Sequence, residues 1–158
     1  YFQITRKIHQ IMGEYVYEKL HEIPGVTSTK PQATFYLLAD FNRFTPEFNA
    51  SKISTSQKFS ETLIQHPYHT AIVGGDSLVL ERTDYSARMA FVDYDGKKAF
   101  DAFRDDFPKS HSDKIEFVKT NAPRVVSGLK MIETYFDHLL KNAESKIDCD
   151  FSSLTVVN

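Results

Sequence analysis

Residues 31–37 (PQATFYL) and residues 86–91 (SARMAF) are the two stretches that decide the fold. The first opens with a proline and continues in aromatic and aliphatic residues, which are typical of a β-strand. The second carries one arginine, Arg88, among apolar neighbours, and the strong turn signal Asp95-Gly96 follows it. We therefore predict two strands, the second of which carries a single arginine.

Among the residues of these two stretches, Arg88 has the clearest chemical consequence. In an apolar run we expect it to be buried, and a buried charge needs a partner because an unpaired one is costly. The planar guanidinium matches a carboxylate through two parallel hydrogen bonds. Residue type alone leaves two alternatives open: an Asp or Glu of this chain in an internal ion pair, or a carboxylate ligand.

The rest of the chain shows alternating helical and strand patterns. Apolar spacing predicts helices over residues 4–20, 56–65, 99–103, 113–122 and, restarted or kinked at Pro123, 123–143. Strand patterns occur over residues 34–41, 70–73, 77–81 and 87–94, and residues 42–54 are predicted to form a loop. Because the 34–41 stretch is nearly all apolar, we expect both of its faces to be covered. Together these elements predict an α/β (α+β) fold, in which helices pack on a small mixed sheet.

Composition favours one domain and excludes some classes of partner. The 158 residues are 41% hydrophobic and 25% charged, with a net charge of −2, which is ordinary for a globular protein and gives no basic surface for nucleic acid or an anionic membrane. The single cysteine, Cys149, cannot form an internal disulfide, and no stretch is long and apolar enough for a membrane span. We expect a cytoplasmic protein with one domain over residues 1–145 and a tail, a surface segment or late strand, over 146–158.

Other motifs provide weaker evidence of function. Ser127 and Lys130 satisfy an S-x-x-K pattern but fall inside a predicted helix, without the companion motifs of penicillin-binding proteins. His66, His69 and Asp76 lack further ligands for a metal site, so we expect no metal. An aromatic-rich region is predicted to be core rather than a ligand cage; its members are Phe35, Tyr36, Phe41, Phe44 and Phe48.

Four landmarks in a fixed order indicate a family. They are Ile23-Pro24-Gly25-Val26 after the first helix, the 31–37 strand, the turn Val73-Gly74-Gly75, and the strand of Arg88. From about Ile4 to about Ala143 the chain resembles the C-terminal small domain of a class I/II, fold type I aminotransferase of the aspartate aminotransferase type, which depends on pyridoxal phosphate. Two departures are Ala33, where the family usually has glycine, and residues 72–76, which lack the family's proline and aromatic residue.

The resemblance implies a function for the complete enzyme. That function is amino transfer between an amino acid and a 2-oxo acid, in a homodimer, with Arg88 binding the substrate α-carboxylate. The lysine that carries pyridoxal 5'-phosphate, its phosphate site and its pyridinium partner lie in the family's large domain, so no catalytic or cofactor-binding residue is expected here, and the isolated chain is expected to be inactive. The alternative is a non-catalytic α/β binding or interaction module with Arg88 in a structural ion pair.

Overall fold

A computed structural model of the chain describes the backbone of residues 1–154 and the side chains of residues 1–143. In this part of the chain the helices are α1 (Phe2–His21), α2 (Thr45–Ala50), α3 (Ser56–Ile64), α4 (Gly96–Asp105), α5 (His111–Asn121) and α6 (Pro123–Leu154). The strands are β1 (Thr27–Ser28), β2 (Tyr36–Asp40), β3 (Val73–Gly74) and β4 (Ser86–Ala90), and short 3₁₀ helices cover Asn42–Phe44 and Gly75–Leu78. Helices and one sheet occur together, which confirms the α+β class.

The four strands form one sheet in the order β1-β2-β4-β3. All three pairs are antiparallel, so the expected mixture of strand directions is not found among the described strands. In the register, Arg88 of β4 lies opposite Leu38 on one side and opposite Val73 on the other. Arg88 therefore occupies an inner strand of the sheet.

The first helix follows its sequence pattern closely. The apolar positions of α1 are buried, among them Ile8, Met12 and Leu20, as an amphipathic helix against a core requires. The helix ends at His21, and Gly25 has a φ of +91°, a backbone angle that residues other than glycine rarely adopt. This turn directs the chain into β1, on which α1 packs.

An aromatic cluster forms the centre of the core. Phe136 of α6 stacks on Phe41 with ring centroids 5.2 Å apart, and Phe48 of α2 lies 4.4 Å from the ring of Tyr85. The buried hydroxyl of Tyr85 donates a hydrogen bond to the backbone carbonyl of Ile53 at 2.7 Å. Burial of each such ring contributes about 1.5–3 kcal/mol. Because Tyr85 directly precedes β4, the cluster anchors the start of that strand.

Two sequence predictions in this region were wrong. Residues 42–54 are not a loop throughout, since the 3₁₀ helix Asn42–Phe44 and α2 occupy most of them. Pro46 in the first turn of α2, with Phe44 and Phe48 four residues apart, was the helical signal. Residues 77–81 are not a strand: the chain forms the 3₁₀ helix Gly75–Leu78 and then turns at Val79, whose φ is +65°.

The remaining predicted elements are present, with shifted boundaries. The strand expected over 70–73 shares only Val73 with β3, so residues 70–72 of that prediction were wrong. Helices α3 and α4 match the short helices predicted before His66-Pro67 and after Asp95-Gly96. The backbone of α6 continues to Leu154, well beyond residue 143. The late strand predicted within residues 146–158 is therefore wrong for residues 146–154. Residues 155–158 lie outside the described part of the chain. No helix in the described part is both long and apolar enough to cross a membrane.

Candidate carboxylate-binding site

The sheet has one buried face and one largely open face. Successive side chains alternate between the faces, and directly paired residues share a face. Leu37, Ala39, Ala87 and Met89 lie on the face that is buried in the core. The opposite face carries Tyr36, Leu38 and Asp40 of β2, Val73 of β3, and Ser86, Arg88 and Ala90 of β4. The prediction that residues 34–41 are covered on both faces was therefore wrong, because Tyr36 and Asp40 are exposed.

Arg88 lies at the middle of the open face, and its side chain is exposed. The expectation of a buried arginine was therefore wrong. The Arg88 side chain has no hydrogen bond or ion pair with any residue whose side chain the structure describes. Its Cζ atom lies 5.3 Å from the centroid of the Tyr36 ring. The alternative of a structural ion pair consequently finds no partner in residues 1–143.

Asp40 is the acidic residue on the same face of the sheet. It pairs with Ser86, so it lies diagonally across from Arg88. Its Oδ1 atom accepts hydrogen bonds from the backbone N–H of Asn42 at 2.8 Å and from the Asn42 side-chain amide at 2.9 Å. The carboxylate thus caps the turn that follows β2 and forms no ion pair with Arg88. The guanidinium N–H groups stay available to a ligand.

A second carboxylate network fixes the start of the strand that carries Arg88. Asp84 accepts hydrogen bonds from the Asn42 side chain at 3.0 Å and from the backbone N–H of Ser86 at 2.9 Å. The Asn42 amide and Ser86 hold the pKa of Asp84 below its ordinary value. In return, the side-chain oxygen of Asn42 accepts a hydrogen bond from the backbone N–H of Tyr85 at 2.9 Å. The end of β2 and the start of β4 are thereby tied together.

The Gly74-Gly75 turn is required by close packing beneath the sheet. A Cβ on Gly74 would lie 2.8 Å from the carbonyl oxygen of Ser56 in α3 and 2.9 Å from Oγ of Ser60. At these distances any side chain would force α3 away from β3. The small-residue landmark of the sequence is therefore the place where a helix packs against the edge strand.

No residue of this open face fits a covalent attachment for pyridoxal phosphate. The strand positions that share the face with Arg88 include no lysine. Nor do any three His, Cys, Asp or Glu side chains within residues 1–143 group closely enough to hold a metal ion. We assign neither a cofactor site nor a metal site to the described side chains.

The structure also locates the weaker motifs. The rings of His66 and His69 lie 5.7 Å apart, whereas Asp76 accepts a hydrogen bond from the Ser56 hydroxyl at 2.9 Å. Ser127 and Lys130 are both exposed on α6, and the Lys130 ammonium pairs with Glu133 at 2.7 Å. The side chain of Cys149 lies outside the described residues.

Tyr36 is the site residue that the sequence interpretation missed. Three of the five aromatic residues predicted to be core are buried, namely Phe41, Phe44 and Phe48, whereas Phe35 and Tyr36 are 46% and 38% exposed. Tyr36 and Arg88 are on the same face because both stand at even-numbered positions of strands paired in this register. Alternation along β2 indicated which residues of that strand share a face with Tyr36. The sequence did not show the register of β2 with β4, which places Arg88 on the same face.

The site therefore consists of an unpaired arginine, an aromatic ring beside it, and aliphatic side chains on the neighbouring strands. No protein-family model and no curated protein matches this chain.

Proposed function

We propose that this chain is the C-terminal small domain of a pyridoxal-phosphate-dependent aminotransferase of the aspartate aminotransferase type. In this proposal, Arg88 binds the α-carboxylate of the amino acid and 2-oxo acid substrates. The observation that carries it is an exposed guanidinium on an inner strand with no carboxylate partner among the described side chains. The order of the four sequence landmarks supports the same assignment.

The geometry suits carboxylate binding for an energetic reason. Two charge-assisted hydrogen bonds are worth roughly 1.5–3 kcal/mol each. No internal carboxylate has to be displaced from Arg88, so a ligand competes only with the water that solvates this exposed guanidinium. The hydrogen bonds of Asp84 hold β4 at its start, so the arginine extends from a strand of fixed position.

The cofactor belongs to another part of the proposed enzyme. As the resemblance implies, a large domain would hold pyridoxal phosphate, which supplies the electron sink for amino transfer. The role of this chain is to bind and orient the substrate carboxylate and to help exclude water when the open face is covered. The large domain, a second protomer and a cytoplasmic location are parts of the same proposal.

The test is substitution of Arg88 in the complete enzyme. For Arg88→Ala we expect a loss in kcat/KM on the order of a hundredfold or more, for the amino acid and for the 2-oxo acid alike. Arg88→Lys keeps the charge but not the planar fork, so its kcat/KM should fall between those of the alanine variant and the parent.

A matched control is Arg104→Ala on α4. Arg104 is also exposed, but it is already paired with Asp101 at 3.2 Å and Asp105 at 2.9 Å. This variant should keep kcat/KM within about twofold, as surface substitutions usually have small effects. If both half-reactions proceed normally with Arg88→Ala, the assignment of the site is wrong.

A further inference from the structure

The Arg88 guanidinium lies over the ring of Tyr36. Tyr36 pairs directly with Ala90, so it lies diagonally across from Arg88 on the open face. The Arg88 Cζ atom lies 5.3 Å from the centroid of the Tyr36 ring. This is within the range in which an aromatic face attracts a guanidinium. The Tyr36 ring therefore stabilises one position of the Arg88 guanidinium, which has no other charged partner among the described side chains.

Tyr36 is itself supported by its neighbour. The Phe35 ring meets the Tyr36 ring edge to face, with centroids 5.3 Å apart and an interplanar angle of 86°. The backbone carbonyl of Phe35 accepts a hydrogen bond from the N–H of Phe91 at 3.0 Å. This bond extends the β2–β4 pairing by one residue beyond Tyr36. The Tyr36 ring thus packs on the Phe35 ring at the end of the β2–β4 pairing.

An aromatic partner acts differently from an acidic one. A carboxylate would neutralise the guanidinium and occupy its N–H groups, whereas a ring attracts the cation and accepts no hydrogen bond from the N–H edge. An arginine held in this way loses less side-chain freedom when a carboxylate binds. The Tyr36 hydroxyl has no hydrogen bond with any described residue, so the ring is the part that makes the contact.

We propose that Tyr36 is a positioning residue, one that holds the Arg88 guanidinium in place for a carboxylate ligand. The proposal rests on the function proposed above, because it assumes that Arg88 binds the substrate. It assigns to Tyr36 a role in substrate affinity exerted through Arg88, with no contact to the reacting atoms.

Two substitutions separate the ring from the hydroxyl. Tyr36→Phe keeps the aromatic face, whereas Tyr36→Leu keeps an apolar side chain of strand-compatible size without it. In the complete enzyme we expect Tyr36→Leu to raise KM about two- to fivefold for both amino and oxo acid, the range expected for an exposed cation–π contact. The kcat should change little, and Tyr36→Phe should behave like the parent.

The contact can also be measured directly in this chain. The Tyr36 ring should shift the proton resonances of the Arg88 side chain through its ring current. Tyr36→Phe should keep this shift and Tyr36→Leu should abolish it. Tyr17→Leu is the control, because Tyr17 is a half-buried ring on α1 whose centroid lies 4.2 Å from that of the His21 ring. This variant should alter neither the Arg88 resonances nor KM.

A double-substitution cycle distinguishes failure of this inference from failure of the proposed function. If Tyr36 acts through Arg88, adding Tyr36→Leu to Arg88→Ala should change KM no further. If Arg88→Ala impairs the enzyme but Tyr36→Leu does not, the positioning role is refuted and the carboxylate site stands. Equal losses for Tyr36→Phe and Tyr36→Leu would also refute it, because the hydroxyl would then be the active group. If Arg88→Ala has no effect on activity, both proposals are wrong.

Discussion

Removal of Arg88 should leave the fold almost unchanged, and this prediction separates the two interpretations of the residue. In the structure Arg88→Ala removes one exposed cation–π contact and no hydrogen bond or ion pair with a described residue. An exposed contact of this kind is worth about 0.5–1 kcal/mol. We therefore expect the free energy of unfolding to fall by about 1 kcal/mol or less, which corresponds to about 2–4 °C in Tm for a chain of this size.

The measurement is urea and thermal unfolding of the chain, followed by circular dichroism. Phe136→Ala provides the scale, because Phe136 is only 1% exposed and its ring lies 4.3 Å from Phe44 and 5.2 Å from Phe41. Truncation of such a ring should cost about 3–5 kcal/mol. If Arg88→Ala costs about as much as Phe136→Ala, Arg88 has a structural partner, as loss of a buried ion pair costs about 3–5 kcal/mol. Such a result would show that the Arg88 guanidinium is not free.

Two further predictions concern the cofactor and pH. The isolated chain should retain no one-to-one pyridoxal phosphate adduct after borohydride reduction and dialysis, measured by absorbance; a full equivalent on one lysine would show that this chain holds the cofactor. The pKa of Asp84 is lowered from 3.8 in the folded state by hydrogen bonds from Asn42 and Ser86, so the stability that it confers is present above pH 3.8 and is lost as pH falls through the lower folded value. Asp84→Ala should accordingly reduce Tm at pH 7 but much less near pH 2, and an equal reduction at both pH values would contradict this role.

Much of the helical structure was predictable because its signals are local. The apolar spacing and the Pro24-Gly25 stop predicted α1, and Phe59 and Leu63 before His66-Pro67 predicted α3. The missed helix α2 has equally local signals, in Pro46 and in the spacing of Phe44 and Phe48. In contrast, the strand predicted over 77–81 failed because a short apolar run does not show whether a neighbouring strand is available to pair with it.

The sequence by itself determined the α+β class, the glycine turn at 74–75 and the presence of one arginine within a strand. Only the tertiary structure decided that Arg88 is exposed, because strand alternation shows which residues share a face but not which face the helices cover. The same holds for the contact of Tyr36 with Arg88, since these residues are 52 positions apart in the printed sequence and meet only through the register of β2 with β4. The strand register and the choice of which sheet face the helices cover are long-range properties, because the packing of the whole core sets them. Together they leave Arg88 exposed beside Tyr36, and for that reason it is a candidate binding residue.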